Sequence, residues 1–227
     1  MLLLSASDAW KAKYPGAVVG MMVIGDIENI KNNAFLAAEK SGLEGILRQQ
    51  ISSKKDILEH PIIRAYIAYY KKFRKSYHVL LQIESVALKG RSIPNVNAVV
   101  SAMFMAELKN CLLTAGHDLE SIAGPVLLDI SKGDELYIKI NSEQQVLKAG
   151  DMMVTDNRGV LSSVIYGPDK RSRITVKTKN ALFVVYAPSG VPEEKVSDHL
   201  GDIFKYIQLF SPLSKISLLE IFNANVG

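Results

Sequence analysis

Apolar residues recur at three- and four-residue steps in several parts of the chain, and this spacing predicts helices. The first predicted helix runs from Asn33 to Ile51, and a clearer one begins at His60-Pro61, where proline suits a first helical turn. A short helix is predicted over His78 to Leu88, and a third helical stretch follows Asn97 and continues through about Leu113. The last helix begins at Pro192-Glu193-Glu194, because acidic residues in the first turn favour the helix dipole.

Shorter apolar runs predict strands. The run Ala17 to Gly25 has the length and the β-branched residues of a buried strand. After Gly124-Pro125 the pattern predicts strands over Val126 to Ile130, Leu136 to Ile140, Met152 to Thr155, Val160 to Tyr166, Arg173 to Lys177 and Ala181 to Tyr186. Helices come first, then strands, then a closing helix. This order predicts an α+β fold, a single compact domain with a mixed, largely antiparallel sheet and flanking helices, rather than a doubly wound parallel sheet.

Composition narrows the class of protein. The chain has 227 residues, of which 48% are apolar, and a formal net charge of +4. This apolar fraction excludes a disordered tail protein, and the single cysteine, Cys111, excludes a disulfide scaffold. No apolar run approaches the roughly 18 residues that span a bilayer, so no membrane partner and a cytoplasmic location are expected. An excess of four positive charges is weak evidence for a nucleic-acid partner.

No standard catalytic motif is present in the sequence. The four histidines are widely spaced and have no cysteine cluster near them, so neither a metal site nor a cofactor is expected. His117-Asp118 is predicted at a helix-to-loop transition, where the pair would position a ligand or transfer a proton. The alternative, which we favour, is that Asp118 caps the following turn.

Two basic groups stand out along the chain. Lys71, Lys72, Arg74 and Lys75 end a predicted helix, and Lys170, Arg171 and Arg173 lie in a turn that leads into a predicted strand. Each group is explained either by phosphate contacts or by an ordinary solvated surface. The tyrosines beside the first group would stack on bases or form part of the core.

Six motifs occur in the order found in a known family. They are His60-Pro61 with its tyrosine-rich helix, Ser92 to Val100, Gly116 to Gly124, Lys132 to Glu135, Ala149 to Asp156, and Ile174 to Leu182. In these motifs the stretch from His60 to Pro188 resembles the B3/B4 domain of the phenylalanyl-tRNA synthetase beta subunit, and most closely the free-standing proteins built around that domain. The expected organisation of the single domain is a strand-helix lead-in over residues 1–59, the matching core over 60–188, and a C-terminal helical segment over 189–227.

The resemblance implies a compact α+β fold with an editing pocket in which the ester of a wrongly charged tRNA is hydrolysed. Met103 and Phe104 occupy the positions of the synthetase's Thr-Asn pair, Ala115 that of its editing histidine, and Val184 that of its glutamate. Proofreading by that set of side chains is therefore not expected.

The leading hypothesis is a stand-alone tRNA-recognition or aminoacyl-tRNA quality-control protein with a remodelled pocket. If it is a deacylase, His117 or Glu107 would orient water and Ser162 or Ser163 would bind the ester oxygen. The other expected site residues are the pocket residues Asn97, Met103, Phe104, Ala115, Asp118 and Tyr166, and the phosphate contacts Lys170, Arg171 and Arg173. The alternative is a non-catalytic protein that binds a free amino acid or small metabolite, and a third option is an interaction module.

Overall fold

The structure is a computed structural model that describes residues 2–225. Its α-helices are α1 (Asp8–Lys13), α2 (Ala34–Gln50), α3 (Lys54–Glu59), α4 (Pro61–Lys72), α5 (His78–Ala87), α6 (Ala98–Asn110) and α7 (Glu193–Gln208). Its strands are β1 (Leu4–Ala6), β2 (Val18–Gly25), β3 (Leu113–Asp118), β4 (Val126–Ile130), β5 (Leu136–Ile138), β6 (Gln144–Val146), β7 (Met152–Asp156), β8 (Gly159–Ser163), β9 (Gly167–Pro168), β10 (Ala181–Ala187) and β11 (Lys215–Asn223). A single 3-10 turn, Leu119–Ser121, follows β3.

The strands form three sheets. One has the order β1-β4-β7-β8-β9, the second has the order β11-β2-β10-β3, and the hairpin β5-β6 forms the third. β1 and β4 pair in parallel, and every other strand pair among the described residues is antiparallel. The prediction of an α+β fold with largely antiparallel pairing is confirmed.

The four-stranded sheet forms the centre of the core. Every residue of β2 and β10 is buried, as their continuous apolar sequences require. Helix α7 packs on this sheet, and Gly20 of β2 permits the approach, because a Cβ there would lie 2.6 Å from Val196 and 2.8 Å from Leu200.

The tyrosines of α4 connect the two larger sheets. The Tyr66 hydroxyl donates to the Tyr186 carbonyl in β10, and the Tyr70 hydroxyl donates to the carbonyl of Val164, which follows β8, at 2.7 Å. Both rings are buried. These aromatic residues therefore belong to the core, and base stacking by them is excluded.

Several predicted elements are wrong in type or extent. Cys111 ends α6 with a left-handed backbone, φ 60°, and the chain then enters β3, so His117-Asp118 lies at the end of a strand rather than after a helix. The segment predicted as a strand from Arg173 to Lys177 is a loop with one isolated bridge, between Arg173 and His117. The C-terminal segment contains β11 as well as α7.

None of the helices in the described range combines the length and the apolar character that crossing a membrane would require.

Candidate functional site

An apolar cavity of about 480 Å³ lies between α6 and the ends of strands from both larger sheets. Its apolar lining is Val96, Val100, Met103, Phe104, Leu113, Ala115, Gly116, Ile140, Gly167, Pro168 and Ile174. A side chain at Gly116 would fill part of this space, because its Cβ would lie 2.7 Å from Ile174 and 3.1 Å from the Met103 sulfur. The volume falls within the roughly 300–1,000 Å³ that ligand pockets occupy.

Helix α6 presents a stripe of four side chains to the cavity. Val100, Met103, Phe104 and Glu107 follow the spacing i, i+3, i+4 and i+7 and all line the space. A carboxyl group therefore takes the fourth position of an otherwise apolar stripe.

Glu107 is 2% exposed, and its Oε1 accepts a hydrogen bond of 2.8 Å from the backbone N–H of Thr114 in β3. Burial raises the pKa of this carboxyl to about 8, although the bond from Thr114 opposes the rise. His78 also lines the cavity, and burial lowers its pKa to about 4. At neutral pH the cavity therefore holds a largely protonated carboxyl group and a neutral imidazole.

A basic groove of about 730 Å³ lies beside the cavity. The exposed side chains of Lys170, Arg173 and Lys177 line it, together with Arg158. Arg173 also lines the apolar cavity, so it stands at the boundary between the two spaces. In the part of the chain that the structure describes, its side chain makes no ion pair and no hydrogen bond.

Arg171, two residues before Arg173, is held by the protein itself. It donates to both carboxylate oxygens of Asp156, at 2.9 and 3.0 Å, and to the Ser121 carbonyl at 2.7 Å. Its Nε also lies 3.4 Å from Asp169. The structure thus places Arg171 in a structural clamp at the wall of the groove and leaves Arg173 available to a ligand.

His117 is fully buried and forms a chain of hydrogen bonds behind the cavity wall. Ser172 donates its proton to Asp169, so its Oγ accepts from His117 Nδ1 at 2.7 Å. His117 Nε2 then accepts from Ser162 Oγ at 3.0 Å, and the Tyr186 hydroxyl lies 2.7 Å from that same Oγ. Burial, with a smaller contribution from Arg171, lowers the pKa of His117 to about 3, which agrees with a neutral ring.

The Ser162–His117 contact has the geometry of a nucleophile and its base, but both side chains are completely buried. Neither of them lines the cavity or the groove. The structure therefore brings these two predicted residues together in a place that a substrate does not reach without movement of the wall.

The other predicted pocket residues separate into two sets. Ser163 lines the cavity together with Met103, Phe104 and Ala115. Asn97, Asp118 and Tyr166 lie elsewhere in the described chain: Asn97 caps α6 through a 3.0 Å bond from Val100 N–H, Asp118 caps the turn after β3, and the Tyr166 ring faces Lys75 at 5.5 Å. The capping interpretation of Asp118 agrees with its bond from Glu120 N–H, and Asp118 also lines the basic groove.

Sequence reasoning did not identify Thr114 and Tyr186, which also line the cavity. Thr114 lies in β3 between Leu113 and Ala115, and its hydroxyl lies 2.6 Å from His199 Nε2 of α7, so its position is visible only once that strand is recognised. Tyr186 lies in β10, a strand that the sequence predicts, but its hydroxyl bond to Ser162 depends on sheet packing that no local pattern reveals.

The first basic group is divided between two places. Lys72 and Arg74, with Lys13 and Lys148, surround a separate open cleft of about 440 Å³. Lys148 donates to the Phe73 carbonyl at 2.6 Å, and Lys72 lies 5.4 Å from the centre of the Tyr14 ring. Lys75 instead faces Tyr166, so the group does not form a single patch.

Within residues 2–225, no three histidine, cysteine, aspartate or glutamate side chains lie close enough together to hold a metal ion. Cys111 is buried, and burial raises the pKa of its thiol to about 12, so it behaves as a small apolar residue.

Fold and site together define an α+β protein with an apolar cavity beside a basic groove. Residues 63–199, well over half of the chain, match the B3/4 domain family. The chain belongs to this family, and the resemblance drawn from its ordered motifs is confirmed.

Among solved structures, an N-terminal fragment of the phenylalanyl-tRNA synthetase beta-subunit from Pyrococcus horikoshii is similar to the chain, with 14% sequence identity and a TM-score of 0.48. The alignment covers 95% of this chain and 50% of the fragment, so the chain spans half the length of that structure. No curated protein matches the chain.

Proposed function

We propose that this chain recognises the aminoacyl end of a tRNA in aminoacyl-tRNA quality control, in the cytoplasm. The observation that supports the proposal is the position of Arg173, which lines both the apolar cavity and the basic groove. A ligand that crosses this boundary needs an apolar group on one side and anionic groups on the other.

An aminoacyl-tRNA end has this composition, because the amino acid is esterified to the terminal ribose and phosphates precede it. The amino-acid side chain would occupy the cavity against Met103 and Phe104, and the phosphates would contact Lys170 and Arg173. Arg171 would keep the wall of the groove in place through Asp156 rather than touch the RNA.

Hydrolysis of the ester is a further step that this recognition would permit. Of the four predicted catalytic residues, Glu107 and Ser163 line the cavity, while His117 and Ser162 lie behind its wall. We propose Glu107 and Ser163 as the groups that would contact a bound ester, and His117 and Ser162 as groups that position the wall.

A second candidate function is the binding of a free amino acid or small metabolite without RNA. It is favoured by the size and the mostly apolar lining of the cavity, which suffice for a small ligand by themselves.

The test measures binding of tRNA to the full chain by fluorescence anisotropy, with uncharged tRNA and with tRNA that carries an amide-linked amino acid that cannot be hydrolysed. We expect the aminoacylated form to bind more tightly. Arg173→Ala should weaken binding by roughly three- to tenfold and lower the salt slope by about one.

Arg64→Ala is the matched control, because Arg64 is exposed on α4 and lies outside the groove lining. Equal affinities for the two tRNA forms, or equal effects of the two substitutions, would contradict the proposal. A free amino acid that raises the melting temperature when tRNA does not would favour the second function.

A further inference from the structure

Glu107 is a carboxyl group in a cavity that its helix otherwise lines with apolar side chains. One of its oxygens accepts the Thr114 N–H, and over residues 2–225 the other oxygen has no hydrogen-bond donor and no cation within ion-pairing distance. Because Glu107 lines the cavity, a ligand group that supplies a donor to this oxygen can reach it and gains the energy of a hydrogen bond to a charged or polar group.

The groups around Glu107 do not supply that donor. Burial keeps the phenols of Tyr66, Tyr70 and Tyr77 protonated by raising their pKa values, and these hydroxyls are directed to backbone or His78 atoms. His78 is neutral at pH 7, since burial lowers its pKa. Arg173 stands at the mouth of the cavity, where it also faces the groove.

We propose that Glu107 selects ligands that carry a protonated amine next to an apolar group. An ammonium group donates hydrogen bonds to the unpartnered oxygen and stabilises the ionised carboxylate, and such charge-assisted bonds are the stronger class. A ligand that presents an anion or only an acceptor at this point can bond only to the protonated carboxyl group, which donates its O–H, and an anion is repelled by the ionised carboxylate.

The identity of the natural ligand rests on the proposed function, in which the amine is the α-amino group of an aminoacyl ester. The selection itself does not require RNA. Because burial holds the free carboxyl group largely protonated at pH 7, an ammonium ligand must also ionise it, which takes part of the binding energy. An amine is nevertheless preferred, since the neutral hydroxyl of an alcohol offers only a weaker bond.

The test uses three probes with the same ring and spacing, 2-phenylethylamine, 2-phenylethanol and 3-phenylpropionate. Calorimetric titration into the full chain at pH 7.5 gives their affinities without any assumption about tRNA. We expect the amine to bind about tenfold more tightly than the alcohol, which corresponds to about 1.4 kcal/mol, and the carboxylate to bind most weakly.

Glu107→Gln should reduce the preference for the amine to less than about twofold while the alcohol still binds, because the amide keeps an acceptor for Thr114. Glu44→Gln is the matched control: Glu44 is also buried and accepts a backbone N–H, from Ile93 at 2.8 Å, but it lies outside the cavity. That variant should keep the preference.

Equal binding of amine and alcohol, a preference that survives in Glu107→Gln, or no binding of any probe would overturn the inference. Amine selectivity without any tRNA binding would support it and remove the tRNA role. Binding of tRNA that depends on Arg173, without amine selectivity, would leave the proposed function and remove this inference.

Discussion

Two buried polar groups, one in β3 and one in α6 that is bonded to β3, behave in opposite ways. His117 uses both ring nitrogens in bonds to Ser172 and Ser162, and the chain of bonds ends on Asp169. Glu107 has one bond, from Thr114, and faces an apolar cavity. A side chain whose hydrogen bonds are all made inside the protein stabilises the fold, while one with an unused atom facing a cavity is available to a ligand.

The same difference separates two arginines that are two residues apart. The guanidinium of Arg171 donates hydrogen bonds to the Asp156 carboxylate and to the Ser121 carbonyl. Arg173, in contrast, is exposed between the cavity and the groove. A basic sequence such as Lys170 to Arg173 therefore contains both a structural and a ligand-binding cation.

The largest expected effect comes from removing the satisfied histidine. His117→Ala should lower the free energy of unfolding by roughly 2–4 kcal/mol, because it leaves a cavity and removes the partners of two buried serine hydroxyls. Urea denaturation followed by circular dichroism measures the change. His60→Ala, at an exposed position without a side-chain cap bond, should change stability by less than about 0.5 kcal/mol.

If His117→Ala is as stable as the unmodified chain and abolishes ester hydrolysis, His117 is a catalytic base and the contrast with Glu107 is wrong. If His117→Ala loses stability but still binds 2-phenylethylamine at low temperature, His117 is structural and Glu107 remains the ligand-binding group.

The next effect separates the two arginines. Arg171→Ala should destabilise the fold by roughly 1–3 kcal/mol, because it leaves the completely buried Asp156 carboxylate without its cation. Arg173→Ala should leave the denaturation midpoint unchanged within error and affect only RNA binding. Thermal melts of the two variants in the same buffer provide the measurement, and equal midpoints would show that the clamp at Arg171 contributes no stability.

The sequence was sufficient to predict most of the helices and strands. It could not show which buried polar side chains, such as His117 and Glu107, have all their hydrogen-bonding atoms paired within the protein. Helix α4 and strand β2 follow directly from apolar spacing. Strand β3 was missed because Leu112 and Leu113 continue the helical period of α6, and the residue that ends the helix, Cys111, adopts a left-handed backbone that usually signals glycine.

The sequence predicts the cavity residues that follow from the family pattern, but not the roles that depend on partners distant in sequence. Met103, Phe104 and Ala115 came from the family pattern and do line the cavity. The different roles of Arg171 and Arg173 could not be predicted, because the residues that hold Arg171 are 15 and 50 positions away in sequence. Only the folded chain shows which polar atoms already have partners.

The smallest expected effect is a pH dependence that distinguishes the two buried groups. The pKa of Glu107 is raised to about 8 in the folded state, so between pH 7 and 8 the folded protein holds a proton that the unfolded chain has released. Stability from this group is therefore complete at low pH and is lost as the pH rises through 8. His117 has the opposite sign: its pKa of about 3 is depressed, and its contribution is lost only as the pH falls below the ordinary histidine range.

We therefore expect the unmodified chain to lose about 1 kcal/mol of unfolding free energy between pH 7 and 8, and Glu107→Gln to lose none of it, since glutamine does not titrate. His117→Ala should lower the whole curve and keep the same slope, because a neutral histidine does not exchange protons with solvent in this range. Urea midpoints at four pH values in this interval provide the data. A slope that survives in Glu107→Gln would come from another group and would mean that the Glu107 carboxyl is already ionised in the free cavity. An ammonium ligand would then bind without displacing a proton from Glu107.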